Sequence, residues 1–292
     1  MTVLDEPERT GPDLIDLDET DLEETGTAIM AASVAPAFAP DLFLGRRIVV
    51  TGAARGIGAA VARGLLDLGA EVCAHAGRVM PAADDDLFAD LPEAQRARLQ
   101  VVAADLSTLD GVETFLAAVI ERMPAIDGLV NNAGTMIGRI PATETDAAAY
   151  ARVVDLNARS VVLVTHGLLP LLTDGASIVN TTSISARTGG SPGSSLYSAA
   201  KAFVATYTRS LAKELGPRRI RVNAVSPGTI DTAFHERYSS REKLAATAKA
   251  IPLERLGTPQ DCAGAYLYLL ANELSGYVTG QSLEVNGGQL LA

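Results

Sequence analysis

A short apolar run, a turn rich in glycine and a helical stretch, in that order, constrain this chain more than any other feature. Arg47-Ile48-Val49-Val50 is apolar and β-branched and reads as a buried strand. Thr51-Gly52-Ala53-Ala54-Arg55-Gly56-Ile57-Gly58 follows at once, and Ala59-Ala60-Val61-Ala62-Arg63-Gly64-Leu65-Leu66 continues as a helix. A strand that passes through a glycine turn into a helix N-terminus makes an anion site, because free backbone N–H groups and the helix dipole face it. Glycine lets the backbone approach phosphate oxygens with no Cβ in the way. A plain left-handed turn explains one glycine. Three at this spacing point to the pyrophosphate of a dinucleotide.

Beyond the turn, apolar strands alternate with helical stretches. Strands are predicted at 71–76, 100–104, 128–131, 177–182, 221–224 and 281–285, and helices at 108–122, 146–172, 195–215 and 259–270. This alternation predicts an α/β fold: a doubly wound parallel sheet, Rossmann-like, three layers deep, as a single domain over residues 41–292. The stretch 79–98 is less regular and stands where a strand-to-strand crossover belongs. Its run Asp84-Asp85-Asp86 reads as a solvated helix start rather than a metal site.

Charge separates a tail from this body. Of the net charge of −11, residues 1–40 carry ten acidic groups against one arginine, while the rest holds 25 acidic and 23 basic groups. The body is nearly neutral, so no nucleic-acid partner is expected. Residues 1–40 read as an acidic extension that the chemistry does not need, and Met30 offers an alternative start that leaves the body intact. The chain's 292 residues, 48% of them hydrophobic, are enough for one full-sized core. No run of about 18 apolar residues exists, so no membrane helix is expected. The apolar stretch 28–39 follows an acidic segment where an export signal needs a basic one, and Pro40 would follow the cleavage point. Cys73 and Cys262 stand far apart, and the three histidines show no metal-ligand spacing. A reducing, cytoplasmic setting and no metal are expected.

Tyr197 and Lys201 lie four residues apart on a predicted helix and so share one face. An ammonium beside a phenol favours the phenolate, which would lower the tyrosine pKa and make it a usable acid/base. Such a pair alone says little. Here it follows the glycine turn, Asn131-Asn132-Ala133-Gly134, Asn157 and Ser183, and it precedes Pro227-Gly228 and Thr232. In this order, from about Leu44 to Gly288, the chain resembles the short-chain dehydrogenases/reductases in their compact single-domain form.

The resemblance implies a site. Tyr197 is the general acid in ketone reduction and the general base in alcohol oxidation, and Lys201 stabilises its phenolate and binds the cofactor ribose. Ser183, at a strand end, holds the substrate oxygen, with Ser185 as a competitor for that role. Asn157 bends the long helix, where asparagine has poor propensity, and helps hold a water relayed to Lys201. Gly52, Arg55, Gly56, Ile57 and Gly58 cradle the pyrophosphate. Asp105 and Leu106 lie at the adenine, Asn132, Ala133 and Gly134 at the adenosine ribose, and Pro227, Gly228 and Thr232 on the nicotinamide side. All converge at the carboxyl ends of the strands, where doubly wound sheets bind ligands.

Cofactor choice turns on the end of the second strand. NAD enzymes usually place an acid there to bind the ribose hydroxyls, and here Ala76 holds that position. Arg78 and Arg55 suit a 2′-phosphate, so NADP(H) is expected, with NAD(H) as the alternative, and His75 is a further candidate contact. A substrate lid is expected over 233–255, with Phe234, His235, Tyr238 and Lys243. The function expected is hydride transfer between NADP(H) and a secondary alcohol/ketone pair of a small-molecule substrate: a 3-oxoacyl thioester, a sugar, a polyol or another ketone. The competing readings are an NAD-dependent sugar or polyol dehydrogenase and a non-catalytic dinucleotide-binding regulatory protein. The last would normally have lost Tyr or Lys from its pocket. The helices at 146–172 and 195–215 resemble those through which the family pairs subunits, and with the C-terminal segment as a second contact a homotetramer is expected.

Overall fold

Among the described residues, the β-branched and apolar runs form seven strands: β1 (Arg47–Val50), β2 (Glu71–His75), β3 (Leu99–Val102), β4 (Ile126–Asn131), β5 (Leu172–Thr181), β6 (Arg221–Pro227) and β7 (Ser282–Val285). The computed structural model describes residues 37–82, 84–233 and 238–291. All seven strands lie in one sheet, every neighbouring pair parallel, in the order β3-β2-β1-β4-β5-β6-β7. The order reverses between β1 and β4, which opens a crevice at their carboxyl ends.

The main helices are α1 (Gly56–Asp67), α2 (Leu109–Arg122), α3 (Ala147–Val154), α4 (Ser160–Leu168), α5 (Ser195–Leu215), α6 (Arg241–Ala250) and α7 (Pro259–Leu270). Side chains alternate across the sheet, so each strand feeds two cores. Ile48, Val50, Val72 and Ala74 pack with Leu65 and Leu66 of α1 and Tyr266 and Leu267 of α7. Val49, Cys73 and Leu129 point the other way, towards Phe115 of α2, Leu168 of α4 and Leu211 of α5. This gives the three layers.

Helix starts follow local chemistry. Thr108 caps α2, Asp146 caps α3, and Thr258 with Asp261 forms a capping box on α7. Arg55, at the start of α1, supplies no side-chain cap. The helix expected over 146–172 is interrupted by a π-turn at Asp155–Arg159, centred on Asn157, and ends at Leu168. Strand β5 starts earlier than expected, at Leu172. A register shift between Ile126 and Gly128 lets Leu172 pair with Ile126, and the polar residues after Leu172 mask the strand in the sequence. Helix α6, capped by Ser240, falls in the expected lid. Among the described residues of 79–98 the helical content is one turn, Glu93–Arg96, and Leu87 and Leu91 anchor the stretch in the α1 core.

Candidate active site

The floor of the crevice is a seam between the ends of β1 and β4. The Thr51 hydroxyl accepts the N–H groups of Asn132 and Ala133 at 2.9 and 3.0 Å. Asn132 Nδ2 donates back to the carbonyls of Thr51 and Gly52 at 3.1 and 3.0 Å. Gly52 sits at φ +65°, and a Cβ there would lie 2.8 Å from Ala133 Cα; one on Gly58 would lie 2.1 Å from the Gly52 carbonyl. The third glycine, Gly58, is therefore required by the turn's own backbone. Gly56, at φ +58°, faces Thr232, whose Cγ2 would lie 3.3 Å from a Cβ on Gly56. The glycine turn, the Asn-Asn-Ala-Gly run and Thr232 come together as expected. Pro227 and Gly228 are fixed on the neighbouring strand ends: Ile184 N–H donates to the Pro227 carbonyl, and Gly228 N–H donates to the Val285 carbonyl.

The second cluster lies between the ends of β4 and β5 and helix α5. Lys201 is only 3% exposed, and its ammonium donates to the Thr181 carbonyl at 2.8 Å. Nζ stands 5.8 Å from the centroid of the Tyr197 ring. Tyr197 is hydrogen-bonded to Ser183. Ser183 Oγ also accepts the Ser185 N–H at 3.1 Å, so the competing serine buttresses Ser183 through its backbone. Asn157, fully buried, accepts the Thr135 N–H at 3.1 Å and donates to the carbonyls of Thr135 and Val153, both at 2.8 Å. Both its amide hydrogens are thus committed, and a water relayed to Lys201 is not held by them. Gly134 closes the cluster, since a Cβ there would lie 2.7 Å from Asn157 Oδ1 and 3.2 Å from Lys201 Nζ.

The electrostatics correct one expectation. Burial pushes the Tyr197 phenol up to about 12, with the Ser183 hydrogen bond pulling against it. Burial also pushes the Lys201 ammonium down to about 8. The ammonium sits over the ring rather than at the hydroxyl, and desolvation of both groups outweighs its pull on the phenolate.

At the opposite rim, four readings change. Arg78 Nε pairs with Asp105 Oδ2 at 2.8 Å. Burial raises the Asp105 carboxyl, but hydrogen bonds from Ser107 and the nearby Arg78 guanidinium more than offset this and hold it below the usual range. Leu106 has its side chain in the core, 2% exposed, so only its backbone can face the crevice. His75 is equally buried, at 3%, and turns away from the rim into the α2 side of the sheet; it is no phosphate contact. The Asp84–Asp86 run is not merely solvated. Asp86 Oδ2 accepts the Gly56 N–H at 2.7 Å, supplying from afar a carboxylate at the start of α1. No local sequence signal marks that contact, which spans thirty positions.

In the lid, Tyr238 is tied to the β4 end: its hydroxyl lies 3.2 Å from Thr135 Oγ1 and its carbonyl accepts Arg139 Nε at 3.1 Å. Phe234 and His235 lie outside the described residues. Sequence reading also missed Tyr266, whose buried hydroxyl meets Thr181 Oγ1 at 2.7 Å, behind the carbonyl that holds Lys201. Among the described residues, no helix is long and apolar enough to cross a membrane.

Comparison with known proteins agrees with this fold. Residues 52–289 match the family model described as enoyl-(acyl carrier protein) reductase. A 3-oxoacyl-[acyl-carrier-protein] reductase of Synechocystis sp. is 35% identical over 249 residues, covering 83% of this chain and 96% of that protein. Two solved structures share the fold. The NADH-dependent reductase A1-R′ complexed with NAD is 35% identical, with a TM-score of 0.73 over 87% of this chain and 99% of the other. A blue fluorescent protein from a metagenomic library, in complex with NADPH, is 31% identical, with a TM-score of 0.76 over 85% and 99%. Fold, motif order and sequence agree, and the chain belongs to the short-chain dehydrogenase/reductase family of oxidoreductases, in its compact single-domain form.

Proposed function

We propose that this protein interconverts a carbonyl and a secondary alcohol on a small molecule, with NADP(H) as cofactor and Tyr197 as the proton donor and acceptor. The observation that carries this reading is the Ser183–Tyr197 hydrogen bond beside an ammonium fixed on the Thr181 carbonyl, at the mouth of a glycine cradle. The cradle fits a dinucleotide: Gly52 and Gly56 hold left-handed conformations, and Gly134 leaves no room for a Cβ beside Lys201 and Asn157. Gly52, Arg55, Gly56 and Ile57 would hold the phosphates, Asp105 and the Asn132–Gly134 run the adenosine half, and Pro227, Gly228 and Thr232 the nicotinamide half. When bound, the nicotinamide supplies or takes the hydride.

The chain's own residues manage the proton. Ser183 Oγ orients the substrate oxygen towards the Tyr197 hydroxyl. In reduction Tyr197 Oη gives its proton to that oxygen, and the Lys201 ammonium stabilises the phenolate left behind. In oxidation the same atoms run in reverse. With its phenol raised to about 12, Tyr197 is protonated at neutral pH, which suits reduction. Asn157 keeps Thr135, and with it the wall beside Lys201, in place.

NADP(H) is favoured because Ala76 leaves the strand end without an acid, while Arg78 stands two residues on and the exposed Arg55 lies in the glycine turn. A 2′-phosphate would compete with Asp105 for Arg78. We also infer that residues 1–40 are dispensable and that the protein is a homotetramer. Exposed Tyr150 on α3 and Phe203 on α5, the latter stacked on Tyr207, offer one apolar face, and Tyr277 and Leu283 another.

The test is turnover of a panel of 3-oxoacyl thioesters, sugars, polyols and simple ketones, with each dinucleotide, followed by reduced-nicotinamide absorbance. NADPH-linked reduction of at least one carbonyl is expected. Dinucleotide binding with no turnover across the panel in either direction would favour the regulatory reading instead.

A further inference from the structure

His75, the last residue of β2, presents a ring that no catalytic role uses. Its Nδ1 accepts the Gly52 N–H at 3.1 Å, and its Nε2 lies 2.9 Å from the Ala104 carbonyl. A carbonyl can only accept and an amide N–H can only donate, so the two contacts demand a neutral ring with its hydrogen on Nε2. Phe115 of α2 meets the ring edge-on, with centroids 5.2 Å apart. Gly52 is the first glycine of the turn and holds the left-handed conformation, at φ +65°. Ala104 is bonded to Gly77 through its own N–H and immediately precedes Asp105. One ring therefore spans the two loops on either side of the adenosine half of the crevice.

We propose that His75 is a positioning residue for the dinucleotide, locking the glycine turn to the end of β3 only while its imidazole is neutral. This rests on the dinucleotide reading above. Protonation would aim an N–H at the Gly52 N–H and break that side of the lock. Burial opposes protonation and holds the ring below its ordinary value of 6.5, against the Ala104 carbonyl and the Asp105 carboxylate, which favour the charged form. The Asp105 charge is itself partly answered by Arg78. Cys73, which shares the face of β2 with His75, is held protonated by burial, and Phe115 brings no charge from α2.

Two measurements test the lock. Side-chain ¹⁵N NMR of the protein without ligand should show His75 as the neutral Nε2–H tautomer, persisting to below its ordinary pKa. The other tautomer, or an unshifted titration, overturns the proposal. Fluorescence titrations with NADPH and NADH are then compared for wild type, His75→Asn and His75→Leu between about pH 8 and about pH 5. His75→Asn retains an acceptor and a donor, so binding within about threefold of wild type at the upper pH is expected, with the acid sensitivity removed. His75→Leu leaves the Gly52 N–H and Ala104 carbonyl unpaired, and binding about tenfold weaker at every pH is expected. Wild type should lose affinity towards the acid end as the ring takes up a proton, and by more than His75→Asn does. Equal binding by His75→Leu, or acid weakening that persists in His75→Asn, overturns the positioning role alone. A wild type with the expected tautomer that binds neither dinucleotide overturns the cofactor reading and this role with it.

Discussion

The two ends of the crevice are built in opposite ways. At the Tyr197–Lys201 end the polar groups are buried and tied to backbone: Lys201 to Thr181, and Asn157 to Thr135 and Val153. At the opposite rim, the adenosine side on the proposed reading, the Arg78 guanidinium stands in solvent, its side chain 74% exposed and paired to the Asp105 carboxylate. Buried groups with fixed partners cannot be moved without large cost, whereas an exposed ion pair contributes about 0–1 kcal/mol. The difference separates what this scaffold holds constant from what it can exchange. On the proposed function, the chemistry is held by rigid positions and cofactor preference by soft ones.

That contrast breaks first at Tyr197. Tyr197→Phe keeps the packed ring and removes the proton, so kcat should fall by about 10²–10⁴-fold while dinucleotide affinity stays close to wild type. Near wild-type turnover would remove Tyr197 from the chemistry. Lys201→Met should lose both turnover and dinucleotide affinity, yet gain stability. Folding lowers the Lys201 ammonium from its ordinary 10.5 to about 8. Between these values the unfolded chain holds a proton the folded chain has released, so stability rises with pH across that window. Below about 8 the full cost of burying the ammonium is present, on the order of 3 kcal/mol. A calorimetric Tm at pH 7 above that of wild type is expected for Lys201→Met, and a clear drop would show that the Thr181 hydrogen bond outweighs desolvation. The rate of ketone reduction should decline above about pH 8 as the ammonium is lost.

The rim should yield to smaller pushes. Ala76→Asp is expected to shift the NADPH/NADH affinity ratio towards NADH by on the order of tenfold, through repulsion of the 2′-phosphate and new ribose hydrogen bonds. If wild type already prefers NADH in paired titrations, the rim has been misjudged. The smallest effect is expected from removing the acidic tail. A chain starting at Met30 should match wild type in turnover and in mass by light scattering, and dissociation or inactivity would make the tail part of the assembly.

Much of this was legible in the chain because local rules fix it. The glycine turn between a β-branched strand and a helix, and an asparagine inside a long helix, both name their own geometry, and the π-turn at Asn157 answers the second. His75 was misread for a reason that alternation could have corrected. Cys73 points to the α2 side of the sheet, and a residue two positions on shares its face. The Asp86 contact with Gly56 had no such signal, since it depends on where Leu87 and Leu91 anchor an irregular stretch. Strand β5 hid its start behind Thr173-Asp174-Gly175, residues that read as a turn until register with β4 is known.

The seam between Thr51 and Asn132 joins residues 81 positions apart. A ribosome that has released only the first strand, turn and helix has therefore produced every glycine of the turn but not the floor of the crevice. Such a nascent segment should be blind to dinucleotide until β4 has emerged and docked against β1. Contacts of this sequence separation form slowly, after the local helices. Dinucleotide binding during synthesis would then mark the moment at which the sheet acquires its reversal of strand order, which gives the cell's cofactor pool a hold only on chains whose topology is already correct.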